Sequence, residues 1–486
     1  MTKTQNAGVV GNRLAGRVGA RIAAALIGAV TLIGATTLAP PPAHAQLRAQ
    51  IVGEQYIPLR IAIPDFDAAG PGAADIAKQL ADVVRADLGS SAPFRVLDKS
   101  SFIERDLDIT KAPLFGNWTV SGLEAQALVV GNVVVDAGTN QMTVQFRLWD
   151  VYGQNQQFAM SYAVPTPLNW RRLAHKVADD IFLQLTGDPG YFDSRVVFVS
   201  KTPGDEPYRG RLAIMDQDGA NAEFLLSGFT AVINPRFSPT EQVILYGAYI
   251  QDPRYPTATL LRTYLYDIAT GRQEILAEGQ GQLDFSARFS PNGRSIVFSR
   301  AQGGNTDIYM IDLATRKQTR MTTDSAIETS PSFSPDGKMI VYQSDRGSSK
   351  QLYLMNADRS PMVCPRGGGT KSDSCRITFD GSGYSFSDPV WSPRGDWIAF
   401  SRQGGGQFVI GVLQKDGSGL RILTDGYQDE SPTWSPNGRV IAFERTASRA
   451  AGPKIYSIDL TGRNERRLPT PRDATNPTWG PVLKME

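Results

Sequence analysis

The stretch SPSFSPDGKMIVY, residues Ser330–Tyr342, contains the pattern that decides the fold. An aromatic residue is followed by Ser-Pro-Asp-Gly and then by an alternating apolar run. Serine suits the first position of a type I turn, proline fixes φ at the second, aspartate is tolerated at the third, and glycine suits the fourth. The stretch therefore predicts a β-hairpin.

The same phrase occurs six times along the chain. Its second proline recurs at steps of 52, 44, 58, 43 and 45 residues. A strand-rich repeat of roughly this length is typical of a β-propeller, with one four-stranded blade per repeat. The other copies begin at Asn234, Ser286, Asp388, Ser431 and Asn476, and the last of them is truncated.

The two ends of the repeat array complement each other. Three strand-like runs, starting at Arg195, Arg211 and Ala222, correspond to the second, third and fourth strands of a blade without a first strand. The copy at Asn476 is a first strand with no successors. Joining them would close the ring and leave no exposed sheet edge. We therefore predict an all-β six-bladed propeller over residues 191–486.

Residues 46–190 contain no repeat and predict a small α/β domain in front of the propeller. Its sheet should be mixed, with two amphipathic helices packed on it. The polar segment at 46–57 is predicted to be a mobile arm or an extra strand. The predicted strands are Arg60–Phe66, a strand from Phe94, Ala127–Val135, Met142–Trp149 and Phe158–Val164, and the predicted helices are Ala74–Leu88 and Leu168–Leu185.

Residues 1–45 read as a secretory signal peptide. Four basic residues precede the apolar run Ile22–Leu38, and Ala43-His44-Ala45 offers small residues for cleavage between Ala45 and Gln46. A membrane anchor is the alternative, but the run is short and three prolines follow it. We therefore expect an exported protein.

Charge and histidine content exclude several functions. Without the signal peptide the chain has 46 basic and 48 acidic residues, so no basic surplus exists to bind nucleic acid. Only His44 and His175 occur, and His175 is predicted to face solvent on the polar side of its helix. The sequence therefore has almost no histidine from which to build a Ser-His-Asp triad or a histidine metal site. We expect no catalytic residue, cofactor, metal or small-molecule substrate.

Cys364 and Cys375 are the only cysteines, both in the longest interval between repeats. In an oxidising compartment we expect them to form a disulfide that fixes an inserted loop. Two thiols alone lack the further ligands that a structural zinc site needs.

The loops before each first strand are rich in acids, hydroxyls and amides. In a propeller such loops meet at one mouth of the central channel, where carboxylates would suit a basic or amide-rich partner segment. The alternative is that these residues are turn caps and solvated charges; a cation in the channel would lack a ligand motif. This channel-mouth set comprises Asp284, Phe285, Ser286, Glu328, Thr329, Ser330, Ser387, Asp388, Asp429, Glu430, Ser431, Thr475 and Asn476.

The chain after the signal peptide resembles the TolB family of the Tol-Pal system. The resemblance rests on IAIPDF at Ile61, ALVVGNV at Ala127, FRLWDV at Phe146 and, most specifically, the run Leu173–Ser200. It implies a non-enzymatic periplasmic scaffold that supports outer-membrane integrity and envelope constriction during cell division.

The resemblance also implies partners. The lipoprotein Pal would dock on the channel-mouth set, and other outer-membrane proteins could also bind. The protein TolA would meet the N-terminal arm, and we expect the chain to be a monomer. The arm residues implied in TolA binding are Gln46, Leu47, Arg48, Ile51 and Val52.

Two other functions can be set against the scaffold. A propeller-lidded peptidase needs a nucleophile elbow and a histidine beside it, whereas His175 lies in the first domain. A propeller that binds small molecules or glycans should present exposed aromatic side chains at the channel mouth, and in the channel-mouth set only Phe285 fits.

Overall fold

The computed structural model describes Leu47 and residues 50–52, 55–165, 170–201, 210–226, 231–252, 255–277, 283–347, 349–366, 369, 371–379 and 383–484. For residues 50–52, 55, 56, 252 and 255–259 only the backbone is described. The predicted signal peptide, Gln46 and Arg48 lie outside the described residues. Among the residues described, no helix is both long and apolar enough to cross a membrane.

The N-terminal region contains a mixed sheet. Its strand order is β5-β3-β6-β7-β8, with β4 paired to β6. β3 is parallel to both β5 and β6, whereas β6, β7 and β8 form an antiparallel meander. The strands are β3 (Leu59–Ala62), β4 (Asp67–Ala69), β5 (Phe94–Val96), β6 (Ala127–Asp136), β7 (Gln141–Asp150) and β8 (Asn155–Pro165).

Two helices, α1 (Ala73–Gly89) and α2 (Trp170–Thr186), pack against one another. Leu80, Val84, Val177 and Ile181 belong to the same buried cluster as the apolar face of the sheet. The predicted α/β arrangement is therefore confirmed. One strand prediction is too long, because β3 ends at Ala62; Pro64, which has no N–H to donate to a neighbouring strand, follows shortly after.

The other side of this sheet is covered by the segment between β5 and β6. It includes two short 3-10 helices, Lys99–Ser101 and Phe115–Trp118. Trp118 is buried against the sheet and donates its indole N–H to Glu104 at 3.1 Å. The sheet is thus covered on both faces around β3 and the first half of β6, whereas β8 is largely exposed.

The arm is a small hairpin. β1 (Gln50–Val52) pairs antiparallel with β2 (Gln55–Ile57) and with no other described strand. Leu47 packs, partly buried, against the core of the N-terminal region. Of the two structures predicted for this segment, the extra strand is closer to the one observed.

The rest of the chain forms antiparallel sheets whose strands follow each other in sequence. Four sheets have four strands each, and one has eight. In the eight-stranded sheet, two successive meanders are joined by a single parallel pair, Phe408 with Gln428. A two-stranded hairpin, β23 (Met362–Val363) with β24 (Lys371–Ser372), is inserted before the last strand of the fourth sheet.

The strand bounds are as follows. The closing sheet has β9 (Ser194–Lys201), β10 (Arg211–Asp216), β11 (Glu223–Phe224) and β34 (Asp473–Val482); the second has β12 (Ala231–Phe237), β13 (Val243–Asp252), β14 (Tyr255–Asp267) and β15 (Gln273–Ala277); the third has β16 (Leu283–Phe289), β17 (Ser295–Gln302), β18 (Asn305–Asp312) and β19 (Gln318–Arg320). The fourth has β20 (Glu328–Phe333), β21 (Met339–Ser344), β22 (Gln351–Asn356) and β25 (Cys375–Arg376); the eight-stranded sheet has β26 (Ser385–Trp391), β27 (Ile398–Gly404), β28 (Gln407–Leu413), β29 (Arg421–Ile422), β30 (Gln428–Trp434), β31 (Val440–Thr446), β32 (Lys454–Asp459) and β33 (Arg466–Arg467).

The two ends of the array share one sheet, as the sequence predicts. β34 pairs antiparallel with β9, placing Trp479 opposite Val196. The first strands β34, β12, β16, β20, β26 and β30 contact one another in this order, and β30 contacts β34 again. The described first strands therefore enclose a central channel.

The hairpin turns have the predicted hydrogen bonds. The N–H of Gly337 donates to the carbonyl of Ser334 at 2.8 Å, and the same bond recurs in the other Ser-Pro-x-Gly turns. Gly337 has a φ of 70°, which glycine adopts without strain. The repeated serine and glycine are thus explained by the turn itself.

Candidate partner-binding surface

Every first strand contains a bulge at the same position of the repeated phrase. The register shifts there in all six strands, and the residue at the bulge has a positive φ although none is glycine. β-Bulges redirect side chains and often lie beside functional sites. The bulge residues are Asn234, Ser286, Ser330, Asp388, Ser431 and Asn476.

Bulge residues of neighbouring sheets meet each other. The hydroxyl of Ser330 donates to a carboxylate oxygen of Asp388 at 3.0 Å, and the amide of Asn476 donates to the hydroxyl of Ser431 at 3.1 Å. The structure thus joins four members of the channel-mouth set as two pairs, each between first strands of neighbouring sheets.

Three acids of the channel-mouth set are paired within their own sheets. Asp284 accepts two hydrogen bonds of 2.7 Å from Arg300, and Asp429 accepts bonds of 2.6 and 2.8 Å from Arg445. Glu328 is paired with Arg346. The side chains of Glu328 and Asp429 are 0% exposed. The expectation that these carboxylates form an exposed acidic rim is therefore wrong for these three residues.

Each of these arginines also lies over an aromatic ring of the adjacent strand. Arg300 lies 4.7 Å from the ring centre of Tyr309, Arg346 lies 4.7 Å from that of Tyr353, and Arg445 lies 4.8 Å from that of Tyr456. Buried ion pairs need such further contacts to offset desolvation. An acid, an arginine and an aromatic ring thus form the same structural unit in each of three blades.

Glu430 and Glu444 form no ion pair with an arginine in the described part of the chain, and they lie opposite each other in one hairpin. Glu430 accepts a hydrogen bond from Gln428 at 2.6 Å and pairs in the sheet with Glu444. Glu444 accepts a hydrogen bond of 2.6 Å from the backbone N–H of Asn476. Burial raises the pKa of Glu430 and raises that of Glu444 to about 7. Sequence reasoning missed Glu444, although its place opposite Glu430 in the hairpin is a readable signal.

Apolar side chains are exposed just before the paired acids. Leu283 is 52% exposed, Ile327 is 48% exposed and Tyr427 is 37% exposed. Each lies one or two residues before an acid of the arginine-paired set, so all three occupy the same end of their first strands. We call Leu283, Ile327 and Tyr427 the rim surface. Exposed apolar groups rimmed by polar residues are typical of protein interaction sites, and sequence reasoning missed them.

The remaining channel-mouth residues differ in exposure. Ser330 and Thr475 are buried, whereas the other positions are partly exposed. The partly exposed positions not yet described are Phe285, Ser286, Thr329 and Ser387.

The inserted loop is closed by a disulfide. Cys364 and Cys375 are bonded, with their Cα atoms 5.2 Å apart. Arg366, within this loop, lies 4.8 Å from the ring centre of Phe379. The loop therefore has its own stabilising contacts on the outer part of the fourth sheet.

His175 is buried, contrary to the predicted solvent-facing position, with an exposed fraction of 2%. Its Nδ1 lies 2.6 Å from a carboxylate oxygen of Asp87 on α1, and the other oxygen of Asp87 accepts a bond of 2.8 Å from Gln217. Burial alone would lower the pKa of His175, but Asp87, together with the more distant Asp218 and Asp216, raises it to about 9. The residue thus joins both helices to the closing sheet.

Asp87, His175 and Asp218 also have ligand atoms that all lie within 4.8 Å of one another. Protein partners already account for this group. Nδ1 of His175 faces Asp87, and Asp218 is paired with Arg171. The cluster is therefore a buried network of charges between helices and propeller.

The fold and the surface define a class of protein: an α/β domain followed by a closed β-propeller. Its channel mouth exposes apolar side chains next to polar ones. The model of the "TolB beta propeller domain" matches residues 182–483, and that of the "TolB amino-terminal domain" matches residues 47–157. The chain belongs to the TolB family.

Curated relatives agree with this assignment. The "Tol-Pal system protein TolB" of Gluconobacter oxydans is 38% identical over 445 residues, covering 90% of this chain and 89% of that protein. The protein of the same name from Dinoroseobacter shibae is 45% identical over 454 residues, covering 91% and 95%. The crystal structure of TolB from Acinetobacter baumannii has a TM-score of 0.73 at 28% identity, covering 90% of this chain and all of that one.

Proposed function

We propose that this protein is a non-catalytic periplasmic scaffold of the Tol-Pal system that links Pal to TolA. In this role it supports outer-membrane integrity and envelope constriction during cell division. Family membership supports the proposal, and so does the rim surface, which is the single observation on which partner binding rests. Counting the halves of the eight-stranded sheet separately, we propose six blades, formed by residues 191–486 behind an α/β domain at 46–190.

Pal binds the rim surface. Leu283, Ile327 and Tyr427 offer apolar contact at the channel mouth, and the partly exposed Thr329 and Glu430 offer hydrogen bonds next to them. Interfaces of this kind draw most of their binding energy from a few apolar or aromatic anchors. The arginine-paired acids act indirectly, because they hold the strand ends that present those anchors.

A binding measurement tests the rim surface. Ile327→Asp should weaken Pal binding at least tenfold in calorimetry, since it places a charge in an apolar contact. Ile422→Asp is the matched control, because Ile422 is 36% exposed but lies on the outer strand β29. Equal Pal affinity in both variants and the native protein would exclude the rim surface as the Pal site.

TolA binds the N-terminal arm. The hairpin of β1 and β2 pairs with no other described strand, so it can leave its position at low cost in hydrogen bonds. If TolA captures the arm, its release can change affinity at the channel mouth through a shift in population. Deleting residues 46–57 should abolish TolA binding and change Pal affinity. Unchanged Pal affinity would refute the coupling between the arm and the channel mouth. Retained TolA binding would refute the arm as the TolA-binding segment.

Residues 1–45 direct the chain to the periplasm and are removed there. The N-terminal sequence of the protein purified from the periplasm should begin at Gln46. A mature N terminus within residues 1–40, or recovery in the membrane fraction, would contradict this address.

A further inference from the structure

The channel contains a second ring of residues at its other end. These residues immediately precede the aromatic residue of each repeated phrase, and they line a cavity of about 400 Å³. Arg236 and Arg288 are adjacent in this ring, on the neighbouring strands β12 and β16. The other four are uncharged: Ser332, Val390, Thr433 and Thr478.

The two arginines lack the partners that arginines of the blades have. Nη1 of Arg236 donates to the carbonyl of Pro235 at 2.7 Å, but its buried Nε has no hydrogen-bond partner. Among the described residues, no carboxylate forms an ion pair with Arg236 or Arg288. Arg300, one hairpin strand away from Arg288, forms two bonds to Asp284. Arg236 and Arg288 thus differ from the ion-paired Arg300 of the same propeller.

The two positive charges are costly where they lie. Burial lowers the pKa of both guanidinium groups, and the charge of Arg236 lowers that of Arg288 further. Asp388 and Glu444 act on Arg236 only from beyond ion-pair distance. Like charges held close together in a partly desolvated cavity are stabilised when an anion binds between them. Since Asp388 and Glu444 offset part of the charge, the surplus fits a monovalent anion better than a dianion.

The lining around the arginines combines apolar groups with the hydroxyls of Ser332, Thr433 and Thr478. The aromatic residues of all six phrases border the cavity, and the prolines of the adjoining turns border it as well. Most of the aromatic rings are buried in the blade cores, but Phe289 and the bordering prolines are partly or largely exposed. A ligand held by the arginines would lie against this apolar surface, so its remainder should be apolar. The aromatic residues are Phe237, Phe289, Phe333, Trp391, Trp434 and Trp479.

We propose that this end of the channel binds a carboxylate attached to an apolar group, with Arg236 and Arg288 holding the carboxylate and with Phe289 and the bordering prolines contacting the apolar part. A peptide C terminus with apolar last residues and a free apolar carboxylic acid share this chemistry. The site lies at the opposite end of the first strands from the rim surface, because β16 runs from Leu283 to Phe289. It is independent of the proposed function.

Calorimetry on the chain without residues 1–45 tests the site. The probes are the dipeptide N-acetyl-Leu-Phe with a free carboxylate, its C-terminal amide, phenylpropionate and inorganic phosphate, all at one ionic strength. We expect the free dipeptide acid to bind and the amide to bind at least tenfold more weakly. Binding of phenylpropionate at similar affinity would identify a free acid as sufficient, whereas dipeptide binding alone would identify a peptide terminus. Equal binding of acid and amide, tighter binding of phosphate, or no binding at millimolar concentration would overturn the proposal.

Variants assign the residues. Arg288→Gln should weaken binding of the dipeptide acid at least tenfold, while Arg294→Gln should leave it unchanged. Arg294 is the matched control because it is exposed in the turn that follows the same strand. Unchanged binding in Arg288→Gln would overturn the assignment. If that variant does not fold, the comparison of acid with amide on the native chain decides alone.

Discussion

Arg439 donates through Nε to a carboxylate oxygen of Asp188 at 2.8 Å, and so joins the propeller to the segment between α2 and β9. Arg394 donates to the other oxygen at 2.9 Å. Nearby, the amide of Asn437 donates to the carbonyl of Pro189 at 2.9 Å. One acid thus connects two hairpin turns of the propeller to the N-terminal region.

Asp188→Asn should lower the free energy of unfolding by about 1–2 kcal/mol, since it removes the negative charge from partly exposed ion pairs with two arginines, Arg394 and Arg439. Asp396→Asn is the control, because Asp396 is 41% exposed and lies 3.4 Å from the same Arg394. It should change stability by less than about 0.5 kcal/mol. Urea unfolding measures both, and equal effects would show that the connection contributes nothing.

Stability should also depend on the charge of His175. Its pKa in the folded protein is about 9, above the ordinary value of 6.5. A histidine with a raised folded pKa stabilises fully below about pH 6.5, and this contribution is lost as the pH rises through 9. The groups facing the cluster are Asp87, Asp216, Asp218 and, on the side of Asp87, Arg466.

We expect the free energy of unfolding to fall by on the order of 1–3 kcal/mol between pH 7.5 and 9.5. Burial raises the pKa of Asp179 and Glu444 only to about 7, so they titrate mainly below this window. His175→Gln should be less stable at pH 7.5 and should show little change up to pH 9.5. The same pH slope in native protein and variant, measured by urea unfolding, would contradict the assignment.

The burial of His175 shows where periodicity stops being informative. The apolar stripe of α2 predicts which face meets the sheet, and Val177 and Ile181 do so. It cannot show that the opposite, polar face is covered as well, by Asp87 of α1 and by Gln217 beyond β10. Long-range packing decides that burial, and no local pattern contains it.

The repeat, by contrast, predicts much of the propeller, because each blade repeats its own local rules. The hairpin turns and the pairing of β34 with β9 follow from the phrase and its truncation. The ion pairs of the acids were harder to predict, because the arginine partners do not lie on the same strand as the acids. A signal exists: an arginine follows Asp284, Glu328 and Asp429 by 16, 18 and 16 residues. Spacing that persists between repeats therefore reveals pairing that composition does not.

Glu328 should stabilise its blade and should not contact a partner directly. Glu328→Gln leaves Arg346 without its buried carboxylate and should cost about 2–4 kcal/mol, because a lone charge remains in a partly buried place. Asp324→Asn is the control, since Asp324 is 41% exposed and 3.9 Å from the same arginine. It should cost less than about 0.5 kcal/mol. The denaturant midpoints of the two variants measure these effects. An unchanged midpoint in Glu328→Gln would show that the ion pair adds no stability.

Trp479 closes the ring, and its loss should be the most damaging single truncation among these variants. It is buried in the closing strand, its indole donates to the hydroxyl of Ser194 at 2.9 Å, and its ring meets Tyr191 edge-on at 5.7 Å. Trp479→Ala removes a large buried ring and leaves a cavity, so we expect a loss of about 3–5 kcal/mol. Trp479→Phe keeps most of the packing but loses the hydrogen bond, so it should cost less. Urea unfolding of the two variants separates packing from hydrogen bonding. Near-native stability of Trp479→Ala would mean that β34 does not hold the two ends of the propeller together.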